Sequence, residues 1–164
     1  MAQAKRATSS EVTRTELVLP HHTNALGSIF GGVIMSWIDI TAAISAQRHS
    51  GKTCVTASID ELHFLSPATK GMIVNTRAKV SAVFNRSCEV IVIVESEHPH
   101  THEKKIIAQA FLTFVAIDEK GKAISMPPLE CSGDVEQARQ KQAEDRRTRR
   151  IKSKKELIEL SKIF

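Results

Sequence analysis

The sequence predicts an α+β fold in which one long helix packs against an antiparallel sheet. Three observations lead there. A single helical stretch is apolar on most of its sides, four long alternating runs follow it, and the links between those runs are short. A helix of that kind has to be enclosed. Short links between neighbouring strands imply an antiparallel arrangement, which supplies the enclosure.

The elements follow in order. Residues 1–11 are polar and aperiodic and are expected to be disordered. Residues 12–19 alternate loosely and are closed by Pro20, which reads as a first strand. Residues 21–29 form a loop containing Asn24 and Gly27, and Gly31-Gly32 opens a helix over 33–49. There Ile34, Ile38, Ala42 and Ser45 fall on one stripe, with Trp37, Ile44 and Ala46 beside it. Ser28 is the expected N-cap and Gly51 the expected stop.

Four strands are expected next. In residues 53–64, Val55, Ala57 and Ile59 share one phase and Leu62 and Phe64 the other, so a bulge is expected near Asp60-Glu61. Residues 72–84 place Met72, Val74, Ala78, Val80, Ala82 and Phe84 on one face. Residues 87–97 place Cys88, Val90, Val92 and Val94 together. Residues 104–117 carry Ile106, Ala108, Ala110, Leu112 and Phe114 on one face and Ile107, Phe111, Val115 and Ile117 on the other. A strand apolar on both faces is expected to meet a partner chain, so at least a dimer is anticipated. Asn85-Arg86 and Glu119-Lys120-Gly121 are turns, and the four runs read as a meander. Met126-Pro127-Pro128 closes a body spanning residues 12–130, and residues 131–164 form a basic tail with a polar helix over 133–151.

Composition excludes several classes. No stretch of the 164 residues approaches the ~20 apolar residues of a membrane helix, and the polar N-terminus lacks the apolar core of a secretory signal. A cytoplasmic, membrane-free protein is expected. Cys54, Cys88 and Cys131 are odd in number and widely spaced, against both a disulfide framework and a structural zinc site. The net charge of +5 lies wholly in the tail. Residues 1–135 hold 13 Lys+Arg and 13 Asp+Glu, residues 136–164 hold 10 and 5. With no Tyr and one Trp for base stacking, no nucleic-acid partner is expected. His98, His100 and His102 alternate in a loop without an Asp or Cys to complete a metal shell, so no metal is expected. His21 and His22 read as loop surface.

Candidate chemistry centres on the helix. Asp39 lies mid-helix between Ile38 and Ile40, an unfavourable interior position for a carboxylate unless it faces water or works. Gly31 and Gly32 at the helix start either relieve close packing or let a ligand reach free backbone N–H groups at the positive end of the helix dipole. Asn24, taken alone, is a turn residue.

Together, Asn24, Gly27, Phe30-Gly31-Gly32, Met35 and Asp39 give N-x-x-G-x-x-F-G-G-x-x-M-x-x-x-D. With Phe64-Leu65-Ser66-Pro67 and Asn85-Arg86-Ser87, this pattern resembles the acyl-CoA hydrolase branch of the hotdog thioesterases over roughly residues 12–130. The resemblance implies a hotdog fold, a long central helix wrapped by an antiparallel sheet. It implies hydrolysis of acyl-CoA to fatty acid and coenzyme A, with no cofactor beyond the coenzyme A of substrate and product. It implies a catalytic pair, Asn24 and Asp39, supplied by different protomers of a dimer, and commonly a trimer of dimers. Asp39 would be general base or nucleophile, Gly31 and Gly32 the oxyanion donors, and Asn85, Arg86 and Ser87 the coenzyme A contacts, with Arg86 on phosphate. Phe30 stands where a wider set of relatives carries His, so a histidine-dependent mechanism is not expected. A hydratase on this fold would need such a His. A non-catalytic acyl-CoA sensor is the alternative, and it would need a DNA-binding module for which residues 1–11 are too short.

Overall fold

The computed structural model describes residues 3–130 and 133–161. The chain divides into two units, Met1–Glu130 and Cys131–Phe164. In chain order the first holds β1 (Lys5–Arg6), a 3-10 turn (Ala7–Ser10), β2 (Val12–Leu17), a second 3-10 turn (Pro20–His22) and α1 (Gly31–Ser50). Strands β3 (Thr53–Phe64), β4 (Ile73–Val83), β5 (Ser87–Glu97), β6 (Lys104–Ile117) and β7 (Leu129–Glu130) follow. The second unit is α2 (Asp134–Ser161), a polar helix that runs ten residues past its expected end. Cys131 lies outside the described residues.

Helix α1 begins earlier than its periodicity suggested, and Ser28 is not its cap. Phe30 occupies the N-cap position and has no side-chain acceptor for the first turn. The stop is as expected: Gly51 takes φ 66°, which only glycine adopts without cost, and its N–H reaches Gln47 O at 2.8 Å.

A five-stranded antiparallel sheet, ordered β2-β4-β5-β6-β3, packs against α1. This is the hotdog arrangement. Only β4, β5 and β6 form the expected meander; β3 pairs β6 at the far edge instead of β4. Residues 65–72 are too many for a tight hairpin and carry the chain across. They are stitched to the start of the fold, Ile29 N–H to Ala68 O at 2.7 Å and Gly71 N–H to Val18 O at 2.9 Å.

The inward phases match the alternation. Val74, Ala78, Val80 and Ala82 of β4, Cys88, Val90, Val92 and Val94 of β5, and Ala108, Ala110, Leu112 and Phe114 of β6 are buried. All but Ala82 join Ile34, Trp37, Ile38, Ala42 and Ala46 of α1 in one core. Phe114 is fully enclosed, and its truncation to Ala would cost about 3–5 kcal/mol. Burial pushes the Cys88 thiol far up, so it is an inert core side chain. Ile106 departs from its expected face. A register shift between Val94 and Glu95 inserts an extra residue in β6, which turns Ile107 inward and leaves Ile106 exposed.

Residues 5–10, expected to be disordered, are ordered. Strand β1 pairs in parallel with β7, and the fully buried Ser10 Oγ accepts from Val80 N–H at 3.0 Å. Lys5 Nζ donates to His49 O at 2.7 Å, a cation on the carbonyl end of α1. Backbone pairing and the helix dipole act here on a segment with no apolar period.

Candidate active site

Strand β3 is an edge, and its register positions the first side chain of the site. Shifts between Thr56 and Ser58 and between Ile59 and Glu61 place two bulges in it, one more than expected. Asp60 is the extra residue of the second, accepting from Ser58 Oγ at 2.6 Å and from Thr113 Oγ1 at 2.7 Å. Before the first bulge, Cys54 and Thr56 lie opposite the buried Ala116 and Phe114 and face the helix, while Val55 is turned away and 42% exposed; beyond it Ile59 pairs with the buried Leu112, on the helix side of the sheet, and is 40% exposed at the edge. Thr56 thereby meets the middle of α1, and its Oγ1 donates to Asp39 Oδ1 at 2.7 Å.

Asp39 is half-buried, and among the described residues its Oδ2 has no partner. Its surroundings are apolar but open: Met35, Ile40 and Ile44 of α1 are all exposed. Among the described residues nothing covers them. A carboxylate held at one oxygen, free at the other and ringed by uncovered apolar surface suits a base or nucleophile better than a solvated flank. Thr56 was not among the residues picked from sequence. The alternation that turns Val55 outward puts Thr56 opposite the helix, which is the signal available; the shared phase expected for Val55, Ala57 and Ile59 does not survive the bulge after Thr56, which returns Ile59 to the helix side.

Asn24 and the two glycines form a second cluster. Asn24 Oδ1 accepts from Leu26 N–H at 2.9 Å and Ser28 N–H at 3.3 Å, which commits the oxygen to the loop and leaves the side-chain NH2 as its outward donor. Phe30 N–H donates to His22 O at 2.8 Å and ties this loop to the start of α1. The first helical amide with an acceptor is Val33, on Phe30 O at 2.9 Å. The N–H groups of Gly31 and Gly32 precede it and have no acceptor among the described residues. A Cβ on Gly32 would lie 2.6 Å from Phe30 Cε1, and one on Gly31 3.4 Å from Phe64 Cζ. Close packing and donor exposure therefore coincide at these glycines.

One protomer does not bring the glycine amides together with Asp39. Eight residues of helix at ~1.5 Å per residue separate Gly31 from Asp39 by about 12 Å. No single carbonyl reaches both.

Asn85, Arg86 and Ser87 make the β4–β5 turn. Asn85 adopts φ 64° and its Oδ1 accepts from Ser125 Oγ at 2.8 Å. The exposed Arg86 guanidinium has no partner among the described residues, while its carbonyl accepts from Ala116 N–H at 3.1 Å. Ser87 opens β5 opposite Val115. In the sheet, Thr56 and Cys88 flank the same β6 residue, Phe114, so the turn lies one to two rows beyond the Asp39 level.

The histidine loop is a local network. His102 hydrogen-bonds to Glu97, which with Lys104 holds the Glu97 carboxyl below its usual range. Among the described residues no group of three His, Cys, Asp or Glu is placed to hold a metal ion.

Residues 26–102 match the model of the thioesterase superfamily. An uncharacterized acyl-CoA thioester hydrolase of Bacillus subtilis is 43% identical over 118 residues, covering 72% of this chain and 69% of that protein. This chain belongs to the acyl-CoA thioester hydrolases of the thioesterase superfamily. A hexameric acyl-CoA thioesterase solved without ligand is 38% identical, covers 92% of this chain and 97% of its own, and superposes with a TM-score of 0.88. The acyl-CoA hydrolase of Staphylococcus aureus, solved with butyryl coenzyme A, coenzyme A and coenzyme A disulfide, is 34% identical over 96% of this chain and 99% of its own, at TM-score 0.85. It was also solved with an aspartate, a threonine or an asparagine replaced by alanine. Mouse acyl-coenzyme A thioesterase 11 is 43% identical over 69% of this chain but much longer, and this chain spans 19% of it.

Proposed function

We propose that the protein hydrolyses acyl-CoA to fatty acid and coenzyme A at a site shared by two copies of the chain. The observation that carries this reading is the Thr56–Asp39 hydrogen bond on uncovered apolar surface, 12 Å along the helix from the free Gly31 and Gly32 amides. A second copy laid against the β3 edge would cover Val55, Ile59, Met35 and Ile40 and bring its own Asn24 and glycine amides to Asp39. The hexameric relative supports further assembly into a trimer of dimers. The three residues replaced in the Staphylococcus aureus enzyme have the types, order and sequence intervals of Asn24, Asp39 and Thr56 here, which supports these three as the working set.

Asp39 Oδ2 takes a proton from water, or attacks, at the thioester carbonyl carbon. Thr56 holds the other oxygen and so fixes the carboxylate plane. The partner's Asn24 amide donates to the water or carbonyl oxygen, and amides of the Gly31 and Gly32 positions receive the oxyanion that forms. Its collapse expels coenzyme A thiolate; when water is the nucleophile the thiolate takes its proton from the acid formed at Asp39, and when Asp39 attacks, the mixed anhydride left on it is cleaved by water, which releases the fatty acid, restores the carboxylate and supplies the proton for the thiolate. A positioned base contributes roughly 10²- to 10⁴-fold and an oxyanion donor roughly 10²- to 10³-fold. Thiolate leaves readily, so the chemistry asks for no metal or cofactor. Asn85, Arg86 and Ser87 would hold the coenzyme A end, with Arg86 on phosphate. We place the reaction in the cytoplasm, as in the relatives named cytosolic acyl coenzyme A thioester hydrolases.

The test is complementation. Asn24→Ala and Asp39→Asn are each expected to lose at least about 100-fold in kcat while remaining oligomeric. Subunits of the two variants, mixed and reassembled, should recover about a quarter of wild-type activity, because half the dimers then carry one intact site. No recovery from verified mixed dimers would refute the shared site. Full turnover by Asp39→Asn would remove the carboxylate from the reaction, and an oligomer that binds but never cleaves acyl-CoA would favour a sensor.

A further inference from the structure

The loop that presents Asn24 has to be held to about an ångström if its amide is to serve a carbonyl in another protomer, and the structure contains an anchor for it. Its backbone alone makes a compact unit: Thr23 N–H and Oγ1 both bond to Pro20 O, at 3.1 and 2.7 Å, and Asn24 N–H bonds to Ser28 O at 2.8 Å. Residues 20–24 therefore move as one body. The Phe30 N–H bond to His22 O ties that body to the first residue before α1, and a side chain fixes it further along the helix. The His22 ring stands edge-to-face on Trp37, centroids 5.2 Å apart and planes at 90°. Trp37 is 5% exposed and lies on α1 two residues before Asp39. The Arg14 guanidinium, from β2, lies 5.7 Å from the centre of the same indole and is itself held by Glu16 at 2.8 Å. On the loop side, His22 Nδ1 accepts from Leu19 N–H at 3.2 Å, which sets the orientation of its ring. Strand, helix and loop thus meet in a single stack, Glu16–Arg14–Trp37–His22. Loop-surface histidines, the simpler reading of His21 and His22, have no such partners.

We propose that His22 and Trp37 are positioning residues for Asn24: their ring contact locks the catalytic loop to the helix that carries Asp39. The inference rests on the role given to Asn24 above. Neither ring acts on substrate. Each works by keeping the Asn24 amide in its productive place, where a shift of ~1 Å costs up to ~10²-fold. An aromatic pair in this geometry is enough to bias a loop that, among the described residues, has no other ring contact to the helix.

The experiment compares kcat and KM for short-chain acyl-CoA hydrolysis in His22→Ala, His22→Phe, Asn24→Ala and the His22→Ala/Asn24→Ala double variant, each first shown to be assembled by sedimentation. His22 is half-buried at the rim of the core, and the sedimentation check separates loss of assembly from loss of positioning. His22→Ala should lower kcat about ten-fold and leave KM within about two-fold. His22→Phe, which keeps a ring against Trp37, should regain most of the rate. In the Asn24→Ala background, His22→Ala should cost nothing further, because the group it positions is gone. Wild-type kcat in His22→Ala, no rescue by Phe, or an equal loss in both backgrounds would each overturn the inference while leaving Asn24 in place. Wild-type turnover by Asn24→Ala would overturn the role of Asn24 itself, and this inference with it. Trp37→Leu, if assembled, should match His22→Ala.

Discussion

Thr56→Val keeps the shape of the side chain and deletes the hydroxyl that donates to Asp39 at 2.7 Å. A hydrogen bond to a charged group is worth about 1.5–3 kcal/mol, and here the lower end applies, because Thr56 is exposed in the protomer and Asp39 only half-buried. At ~1.4 kcal/mol per decade, loss of about 1.5 kcal/mol from a carboxylate used in the transition state is roughly ten-fold in kcat. The bond orients the carboxylate and does not touch coenzyme A, so KM should change less than about two-fold. Thr56→Ser, which restores the donor, should return most of the rate. Steady-state thiol release over a range of acyl-CoA concentrations separates the two constants. If Thr56→Val keeps more than half of wild-type kcat, or if Thr56→Ser is as slow as Thr56→Val, the hydroxyl is not holding a working carboxylate.

Three further outcomes are expected. Ile59→Asp places a charge on the exposed apolar face of the β3 edge and should yield monomers by sedimentation together with a kcat loss of about 100-fold or more; an active monomer would refute the shared site. Arg86→Ala should raise KM for acyl-CoA about five-fold, the worth of one solvent-screened contact, and leave KM for acyl-pantetheine unchanged; equal effects on both substrates would place Arg86 away from phosphate. His49 is buried, and that burial, aided by the Lys5 charge and opposed by the Pro127 carbonyl, depresses its pKa below the ordinary 6.5. The unfolded chain then binds the proton more readily, so stability is complete above about pH 6.5 and is lost as pH falls below it. The loss should appear as a fall in Tm on acidification, and His49→Gln should flatten it; an unchanged slope in that variant would assign the acid sensitivity elsewhere.

Different parts of the molecule were legible in the sequence for different reasons. Strands β4 and β5 were plain because their buried faces, Val74 to Ala82 and Cys88 to Val94, alternate without interruption. The helix was plain from Ile34 and Ile38 and from the stop at Gly51. The placement of β3 beside β6 was not, since strand order depends on how residues 65–72 cross the fold and not on any local period. Ile106 and Ile107 exchanged faces for a similar reason, a single bulge being invisible where both phases are apolar. At the site, Asp39 stood out as a charge in an apolar helix and Asn24 by its motif. Thr56 and His22 carry no signal of their own type. Each matters through a neighbour distant in sequence, Asp39 and Trp37, which only the fold supplies.

The parallel clasp of β1 on β7 sets Lys5 beside Leu129 and Arg6 beside Glu130, so the first and last strands of the unit lie one strand spacing apart. A module whose ends adjoin can be spliced into another chain, joined head to tail with a copy of itself, or opened elsewhere and reclosed by a short linker, without disturbing its interior. The clasp lies at the Gly51 end of α1, where Lys5 meets the His49 carbonyl, and not among Asn24, Gly31 and Gly32 at the other end. Traffic through the termini is thereby routed away from the helix end that carries the free amides. A circularly permuted form with new ends in the exposed Glu119-Lys120-Gly121 turn is the simplest molecule in which that modularity would be visible.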